Sequence, residues 1–266
     1  MKKYLLLALI AVCIGLIIPC KVYATDITLG ATTWYVERDA PGDLTYDSTF
    51  MFGPVLSVKF NDDFNLTFVY LYGQFKDSYG IGIKIKRQDS DLALNYRLND
   101  YFKLFGGIKY MNYTFSGQGL SEDVYSYGPA LGLSFTYPIV DNLFFLATLS
   151  GSYIWYKGDD FDGNEYGYNG NISLAYYISS ASTVISLGYR YQRFIDTEYS
   201  EEKTTISGFT LTATYSFNIW TGILTRLSGL PGFCSKNFLH ICADYNLVNL
   251  VNLDKIVVRT SMKLSL

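Results

Sequence analysis

The feature that most constrains this chain is an alternation of large apolar and small polar side chains, repeated in segment after segment from Ile27 to Phe217. The last segment shows it most clearly. One face there carries Phe209, Leu211, Ala213, Tyr215 and Phe217, and the other carries Gly208, Thr210, Thr212, Thr214 and Ser216. Because successive side chains of a β-strand point to opposite faces, this period of two predicts strands with one apolar and one polar face.

The composition of the polar faces separates two all-β architectures. In a soluble sandwich the large apolar side chains fill the core and the outer face carries charged residues. Here the second face is mostly Gly, Ser, Thr, Ala and Asn, while the chain has 25 Tyr and 18 Phe. Small polar groups around an enclosed interior, with aromatic and aliphatic groups outside, are typical of a membrane barrel. We therefore predict an all-β, antiparallel transmembrane up-and-down β-barrel, which leaves no sheet edge unpaired in hydrocarbon.

The connections between segments give a strand count. Short turns are predicted at 61–63, 99–100, 138–142 and 179–182, and longer connections at 39–47, 116–126, 157–167 and 196–203. Short and long connections alternate, as short periplasmic turns and longer external loops do in outer-membrane barrels. The stretch 25–217 is thus predicted to hold about ten strands.

At this point the body of the chain resembles bacterial up-and-down outer-membrane barrels. The last strand ends in Tyr215-Ser216-Phe217, which is similar to the aromatic-terminated signal that the barrel-assembly machinery recognises in that family. The resemblance implies a bacterial outer-membrane location, with membrane lipid, lipopolysaccharide and the assembly machinery as partners. It identifies no subfamily.

The N-terminal residues 1–24 have the pattern of a secretory signal peptide. Lys2 and Lys3 precede an apolar run from Leu5 to Ile18, and Ala24 is a small residue at a suitable cleavage point. We expect the mature chain to begin near Thr25.

The C-terminal segment 218–266 differs from the body, because basic residues outnumber acidic ones there while acidic residues dominate 25–217. Three interpretations stay open: a periplasmic extension, an out-of-frame or read-through extension, or two further strands that would make twelve. Cys234 and Cys242 lie in this segment, and a disulfide between them is compatible with an oxidising periplasm.

Catalytic motifs are missing from the body of the sequence. The single histidine is His240, outside 25–217, and no HExxH, CxxC, Walker or GxGxxG pattern occurs. Barrel enzymes that use Ser/His or His/carboxylate sites need a histidine as general base. We therefore predict no enzyme and no cofactor, and the acidic body argues against nucleic acid as a partner.

Charged residues on the polar faces are the candidate functional groups of the interior: Lys59, Asp91, Arg97, Lys103, Lys109 and Arg190. A hairpin turn at Asn99-Asp100 places residues whose numbers sum to about 200 opposite each other. Asp91 then faces Lys109, and Arg97 faces Lys103. These charges fit a narrow aqueous channel with a weakly cationic constriction, or a bonded network that fills a closed barrel.

The acidic connection at 157–167 is a candidate cation-binding loop. Asp159, Asp160, Asp162 and Glu165 supply oxygen ligands of the kind that calcium prefers, without the spacing of a full calcium loop. An ordinary solvated acidic loop is the favoured interpretation, and no firm metal site is predicted.

Two functions follow as expectations. The first is a barrel without catalytic activity that acts as a narrow channel for small hydrophilic solutes or as a structural element. The alternative is a surface-interaction barrel whose acidic external loops bind cations, lipopolysaccharide or host ligands.

Overall fold

The computed structural model describes residues 26–39, 46–78, 82–117, 119–159, 161–197 and 203–218, and these form ten strands and one 3₁₀ turn. The predicted signal peptide and the C-terminal extension lie outside the described residues. The strands are β1 Asp26–Asp39, β2 Thr49–Lys59, β3 Phe64–Lys76, β4 Lys84–Arg97, β5 Phe102–Gly117, β6 Leu120–Val140, β7 Leu143–Lys157, β8 Asp162–Ile178, β9 Thr183–Asp196 and β10 Lys203–Asn218. The turn, Ser179–Ala181, joins β8 to β9.

The ten strands form a closed antiparallel barrel in which each strand pairs with its neighbours in sequence. Pairing of β1 with β10, from Asp26 opposite Asn218 to Asp39 opposite Thr205, closes the wall. The predicted architecture and strand number are therefore confirmed. Among the described residues, no helix is long and apolar enough to cross a membrane.

The short turns form at the predicted places because asparagine side chains cap the backbone there. Asn61 Oδ1 accepts hydrogen bonds from the amides of Asp63 and Phe64, at 2.9 and 2.8 Å. Asn99 Oδ1 does the same for Tyr101 and Phe102, each at 2.9 Å. Such Asx turns reverse the chain within a few residues. Both turns lie at the end of the barrel that holds the first and last strand termini, which is the periplasmic end.

The external hairpins differ from the sequence prediction. Strands β5 and β6 continue to Gly117 and Leu120, and β7 and β8 to Lys157 and Asp162. The predicted loops 116–126 and 157–167 are therefore wrong for most of their length. Backbone pairing in these strands continues past the apolar belt. Both faces of a strand can meet water there, so polar residues do not end the strands.

The outward face of the wall is the apolar one. Its large side chains are well exposed, reaching 62% at Phe50, 63% at Leu131 and 68% at Leu149. The positions between them point into the barrel, and some of these require glycine. A Cβ on Gly128 would lie 1.9 Å from the carbonyl oxygen of Tyr153 on the neighbouring strand. An apolar belt of this kind is stable against lipid and unfavourable against water.

Candidate functional site

The interior of the barrel is the candidate functional site, and its external half is packed solid. Ten apolar side chains from strands around the barrel meet there and are between 0 and 3% exposed: Trp34, Val36, Met51, Leu71, Phe75, Ile85, Met111, Ile154, Phe194 and Ile206. Side chains that line a water-filled pore would be accessible to water. The expectation of an interior built mainly of Gly, Ser, Thr, Ala and Asn is thus wrong for this half.

A buried ion pair lies inside this packing, and the sequence analysis missed it. Arg87 donates from Nε and Nη2 to the two carboxylate oxygens of Asp89, each at 2.7 Å. Arg87 Nη2 also donates to Oε1 of Gln192 at 2.9 Å. The guanidinium lies over the ring of Tyr113, 5.3 Å from its centroid. Arg87, Asp89 and Gln192 are at most 1% exposed, so the two charges are neutralised by each other and not by solvent.

The middle of the barrel brings together three of the predicted interior charges. Asp91 lies opposite Lys109, the register expected from the Asn99-Asp100 turn. Lys109 Nζ donates to Asp91 Oδ1 at 2.8 Å, and Arg190 Nη2 donates to Asp91 Oδ2 at 3.1 Å. Arg190 also donates to Asn169 Oδ1 at 3.2 Å and lies 4.9 Å from the ring centroid of Trp34. One carboxylate therefore holds two cations below the apolar packing.

The periplasmic half of the interior has the small polar lining that the alternation predicts. Hydroxyl pairs bridge neighbouring strands there, with 2.8 Å between the oxygens of Thr28 and Ser216. Asn65 Nδ2 donates to Ser57 Oγ at 3.2 Å. These side chains are partly exposed, unlike the sealed residues above them. A second apolar cluster, Phe144, Ala175 and Tyr177, is buried at the periplasmic ends of β7 and β8, so water reaches only part of this half.

The periplasmic mouth holds the other three predicted charges on interior-facing positions. Arg97 lies opposite Lys103, as the register rule predicts. Arg97 pairs with the carboxylate of Asp100, and Lys59 Nζ lies 2.9 Å from Asp62 Oδ1. Lys103 is exposed. The mouth is thus wet and largely charge-compensated.

The acidic residues of the candidate cation loop are not gathered into one site. Asp162 is exposed at the start of β8, whereas Glu165 occupies an interior-facing position of the same strand. Asp159 follows β7 in the connection, and Asp160 lies outside the described residues. No group of three or more Cys, His, Asp or Glu side chains within the described ranges could hold a metal ion.

The last strand carries the two aromatic residues of the predicted assembly signal. Tyr215 faces outward and is 52% exposed, and its ring stacks on Phe217 with centroids 6.2 Å apart. Tyr215 and Phe217 lie opposite Leu29 and Ile27 of β1, at the seam that closes the barrel.

Comparisons with known proteins give matches among solved structures but none among family models or curated sequences. Among solved structures, the outer-membrane protease OmpT from Escherichia coli is similar, with 10% identity, a TM-score of 0.51, and coverage of 74% of this chain and 97% of that one. The translocator domain of the autotransporter NalP from Neisseria meningitidis is 12% identical with a TM-score of 0.41, covering 81% and 96%. Ail of Yersinia pestis is 18% identical with a TM-score of 0.33, covering 73% and 100%. By its closed ten-stranded wall and its apolar outer belt, this chain has the fold of bacterial outer-membrane β-barrels.

Proposed function

We propose that this protein is a non-catalytic outer-membrane barrel with an occluded lumen, which acts through its surfaces and not as an open pore. The observation that carries the proposal is the sealed packing of Trp34, Phe75, Met111 and their neighbours across the external half of the interior. Side chains just fill the lumen of a barrel with about eight strands. A barrel of ten strands is wider, and large interior residues fill its lumen in the same way.

The pairing of the interior charges supports occlusion. A selective pore needs charges that a passing ion can meet. Asp91 is already held by Lys109 and Arg190, and Asp89 by Arg87. Entry of an ion would require breaking these contacts within a region of low dielectric constant, which is unfavourable.

The same ion pairs of Asp89 and Asp91 support the proposal that the barrel is not catalytic. The body of the chain has no histidine, which is the most frequent general base in enzymes. Asp89 and Asp91 are engaged by cations on interior positions, where Asp89 is buried among apolar side chains. OmpT is a protease, and the likeness to it at 10% identity concerns the fold.

A surface role has its own support at the external rim. A cleft of about 410 Å³ opens there between β1, β10 and the residues before β2. Arg38 and Tyr46 line it together with the carboxylates of Glu37 and Asp39 and the hydroxyls of Ser48, Thr205 and Ser207. Charged and hydroxyl groups in a concave site suit a polar surface ligand. Lipid around the belt, and the assembly machinery at the Tyr215–Phe217 strand, complete the proposed partners.

Single-channel recording in planar bilayers tests the proposal. We expect the full chain to give no discrete conductance steps, because the external half is sealed. A Trp34→Ala/Phe75→Ala/Met111→Ala variant should conduct, since it removes three large side chains of the packing. The matched control, Phe50→Ala/Phe52→Ala/Leu131→Ala, changes outward-facing residues and should stay silent.

Heat-modifiable mobility in SDS gels verifies that each variant is folded before recording. Discrete steps from the unaltered chain that change on Lys109→Glu would overturn the occluded barrel and support the channel that the sequence also allows.

A further inference from the structure

The external rim of the barrel holds an arginine whose charge has no counter-ion among the described residues. Arg38 lies near the end of β1, two residues after the fully buried Val36, and faces inward by the alternation of the strand. Its Nε and Nη1 atoms are sealed from solvent, and within the described part of the chain neither has a hydrogen-bond partner. The interior cations Arg87, Lys109 and Arg190 differ, because each contacts a carboxylate.

Two tyrosine rings lie against the guanidinium of Arg38. Its Cζ atom is 5.1 Å from the ring centroid of Tyr46 and 5.4 Å from that of Tyr113. The negative faces of the rings attract the cation, but these contacts provide no acceptor in the plane of its N–H groups. A buried guanidinium with unpaired N–H groups is unfavourable, and an anion that accepts hydrogen bonds from them would stabilise it.

The rim cleft described above brings other polar groups to the same place. Besides Arg38 and Tyr46, its lining supplies two carboxylates and three hydroxyl groups. Because Glu37 and Asp39 alternate with Arg38 along β1, the carboxylates lie toward the outer side of the cleft and the guanidinium toward its inner side. The cleft therefore offers both a cationic group and several hydrogen-bond acceptors to one ligand.

These groups together favour one kind of ligand. A planar guanidinium matches the geometry of a carboxylate. Carboxylate and hydroxyl side chains form hydrogen bonds with the hydroxyl groups of a sugar, and a tyrosine ring packs against its apolar face. A phosphate group carries nearly two negative charges, so Glu37 and Asp39 would repel it more than a carboxylate. Both residues are exposed, and water screens their effect on a singly charged ligand.

We propose that Arg38 anchors a binding site for a carboxylated sugar, a uronic acid residue of a glycan outside the cell. Arg38 binds the carboxylate of the sugar, Glu37 and Asp39 bind its hydroxyl groups, and Tyr46 packs against its ring. A cleft of about 410 Å³ is near the lower end of the range for small-ligand sites, which suits one or two sugar units. The inference rests on the proposed surface role and names the class of ligand for it.

Ligand-observed NMR of the full chain, in micelles of a detergent without a sugar headgroup, tests the site. The probe is methyl β-glucuronide, compared with methyl β-glucoside, in which a hydroxymethyl group replaces the carboxylate. The test variants are Arg38→Gln, which removes the charge, and Arg38→Lys, which keeps the charge without the planar fork. Arg193→Gln is the matched control, because Arg193 lies near the external end of β9, outside the cleft lining, and its Nε is also sealed without a partner in the described part of the chain.

We expect the unaltered chain to bind the glucuronide at least about 10-fold more tightly than the glucoside, as one charge-assisted hydrogen bond allows. Arg38→Gln should bind the two sugars alike, and Arg38→Lys should keep part of the preference. Arg193→Gln should stay within about twofold of the unaltered chain for both sugars. Raised salt should weaken binding of the glucuronide and leave that of the glucoside unchanged.

The proposal would be overturned if the unaltered chain bound the two sugars equally or bound neither. An unchanged preference in Arg38→Gln, or an equal loss in Arg193→Gln, would also overturn it. Heat-modifiable mobility again establishes that the variants are folded. Conductance of the same samples reports on the lumen alone, so failure of the sugar site and failure of the occluded barrel are distinguishable.

Discussion

The external and periplasmic halves of the barrel interior have the same alternating strands but different fillings, apart from a small buried apolar cluster, Phe144, Ala175 and Tyr177, at the periplasmic end. In the external half, large apolar side chains such as Phe75 and Ile206 interlock and exclude water. In the periplasmic half, hydroxyl and amide groups such as those of Ser57 and Asn65 remain partly exposed. The difference shows that one wall can enclose a core resembling that of a soluble barrel at one end and a hydrated vestibule at the other.

The two halves also treat charge differently. In the external half, Arg87 and Asp89 have no contact with solvent. The cost of burying their charges is therefore offset by the hydrogen bonds between the two side chains. At the periplasmic mouth, Lys59 and Asp62 are partly exposed, and water also solvates their charges. Paired substitutions in the two halves should therefore have very unequal effects on the free energy of unfolding.

The largest effect is expected for Arg87→Met, because it leaves the Asp89 carboxylate buried and unpaired. We expect a loss of about 3 to 5 kcal/mol in the free energy of unfolding, measured by urea titration in lipid vesicles. The double variant Arg87→Met/Asp89→Leu should recover most of that loss, since no lone charge remains. The control Arg97→Met at the mouth should lose less than about 1 kcal/mol. Equal losses for Arg87→Met and Arg97→Met would contradict the contrast between the halves.

The next effect concerns packing. Ile206→Ala should lower the free energy of unfolding by about 2 to 4 kcal/mol, because it opens a cavity among fully buried side chains. Thr214→Ala is the matched change on the same strand and the same inward face, in the partly exposed half. It should change the value by less than about 0.5 kcal/mol. A small loss for Ile206→Ala would mean that the external half is loosely packed.

Substitutions in the hydroxyl pairs should change the free energy of unfolding less, and the difference between the two halves should also be smaller. The oxygens of Thr32 and Thr212 lie 2.7 Å apart, and Thr32 is only 8% exposed. Thr32→Val should lose about 1 kcal/mol, and Thr32→Val/Thr212→Val should lose less than the single change, because no unpaired hydroxyl is left. Thr28→Val, in the partly exposed Thr28–Ser216 pair, should lose about 0.5 kcal/mol or less. The same urea titration measures all three.

The smallest effect is expected for Lys59→Gln at the mouth. Its partner Asp62 is exposed, so the free energy of unfolding should fall by less than about 0.5 kcal/mol. The decrease should be smaller still at high salt. A salt-independent loss above about 1 kcal/mol would place Lys59 in a sealed environment and remove the difference between the two halves.

Local sequence patterns predicted the wall because local rules govern it. Asparagine turns at Asn61 and Asn99 fix hairpin register, and register alone brings Asp91 opposite Lys109. The outward face of β10 follows from its alternation. The external ends were harder to predict, because polar residues near Asp162 and Glu165 suit a loop and a strand in water equally well.

The interior of the external half was not predictable by the same means. Gln192 meets Arg87 across the barrel, 105 residues apart in sequence, and no hairpin register sets that contact. A signal existed in segments where both faces are large, such as Tyr70-Leu71-Tyr72, since an interior of small residues does not explain Leu71. Alternation identifies the face that meets lipid, but not how completely the opposite face fills the barrel.

Thiol labelling on β2 tests the sealed external half most directly. Met51 and Ser57 point inward from the same strand, with Met51 at 0% exposure and Ser57 partly exposed. In a background with Cys234 and Cys242 changed to Ser, a small charged thiol reagent is added to the folded Met51→Cys and Ser57→Cys proteins in detergent micelles. We expect Ser57→Cys to react readily and Met51→Cys at least about tenfold more slowly, because its thiol is exposed only when the packing opens. Equal reaction rates at the two positions would contradict an interior whose external half is closed to water and whose periplasmic half is open to it.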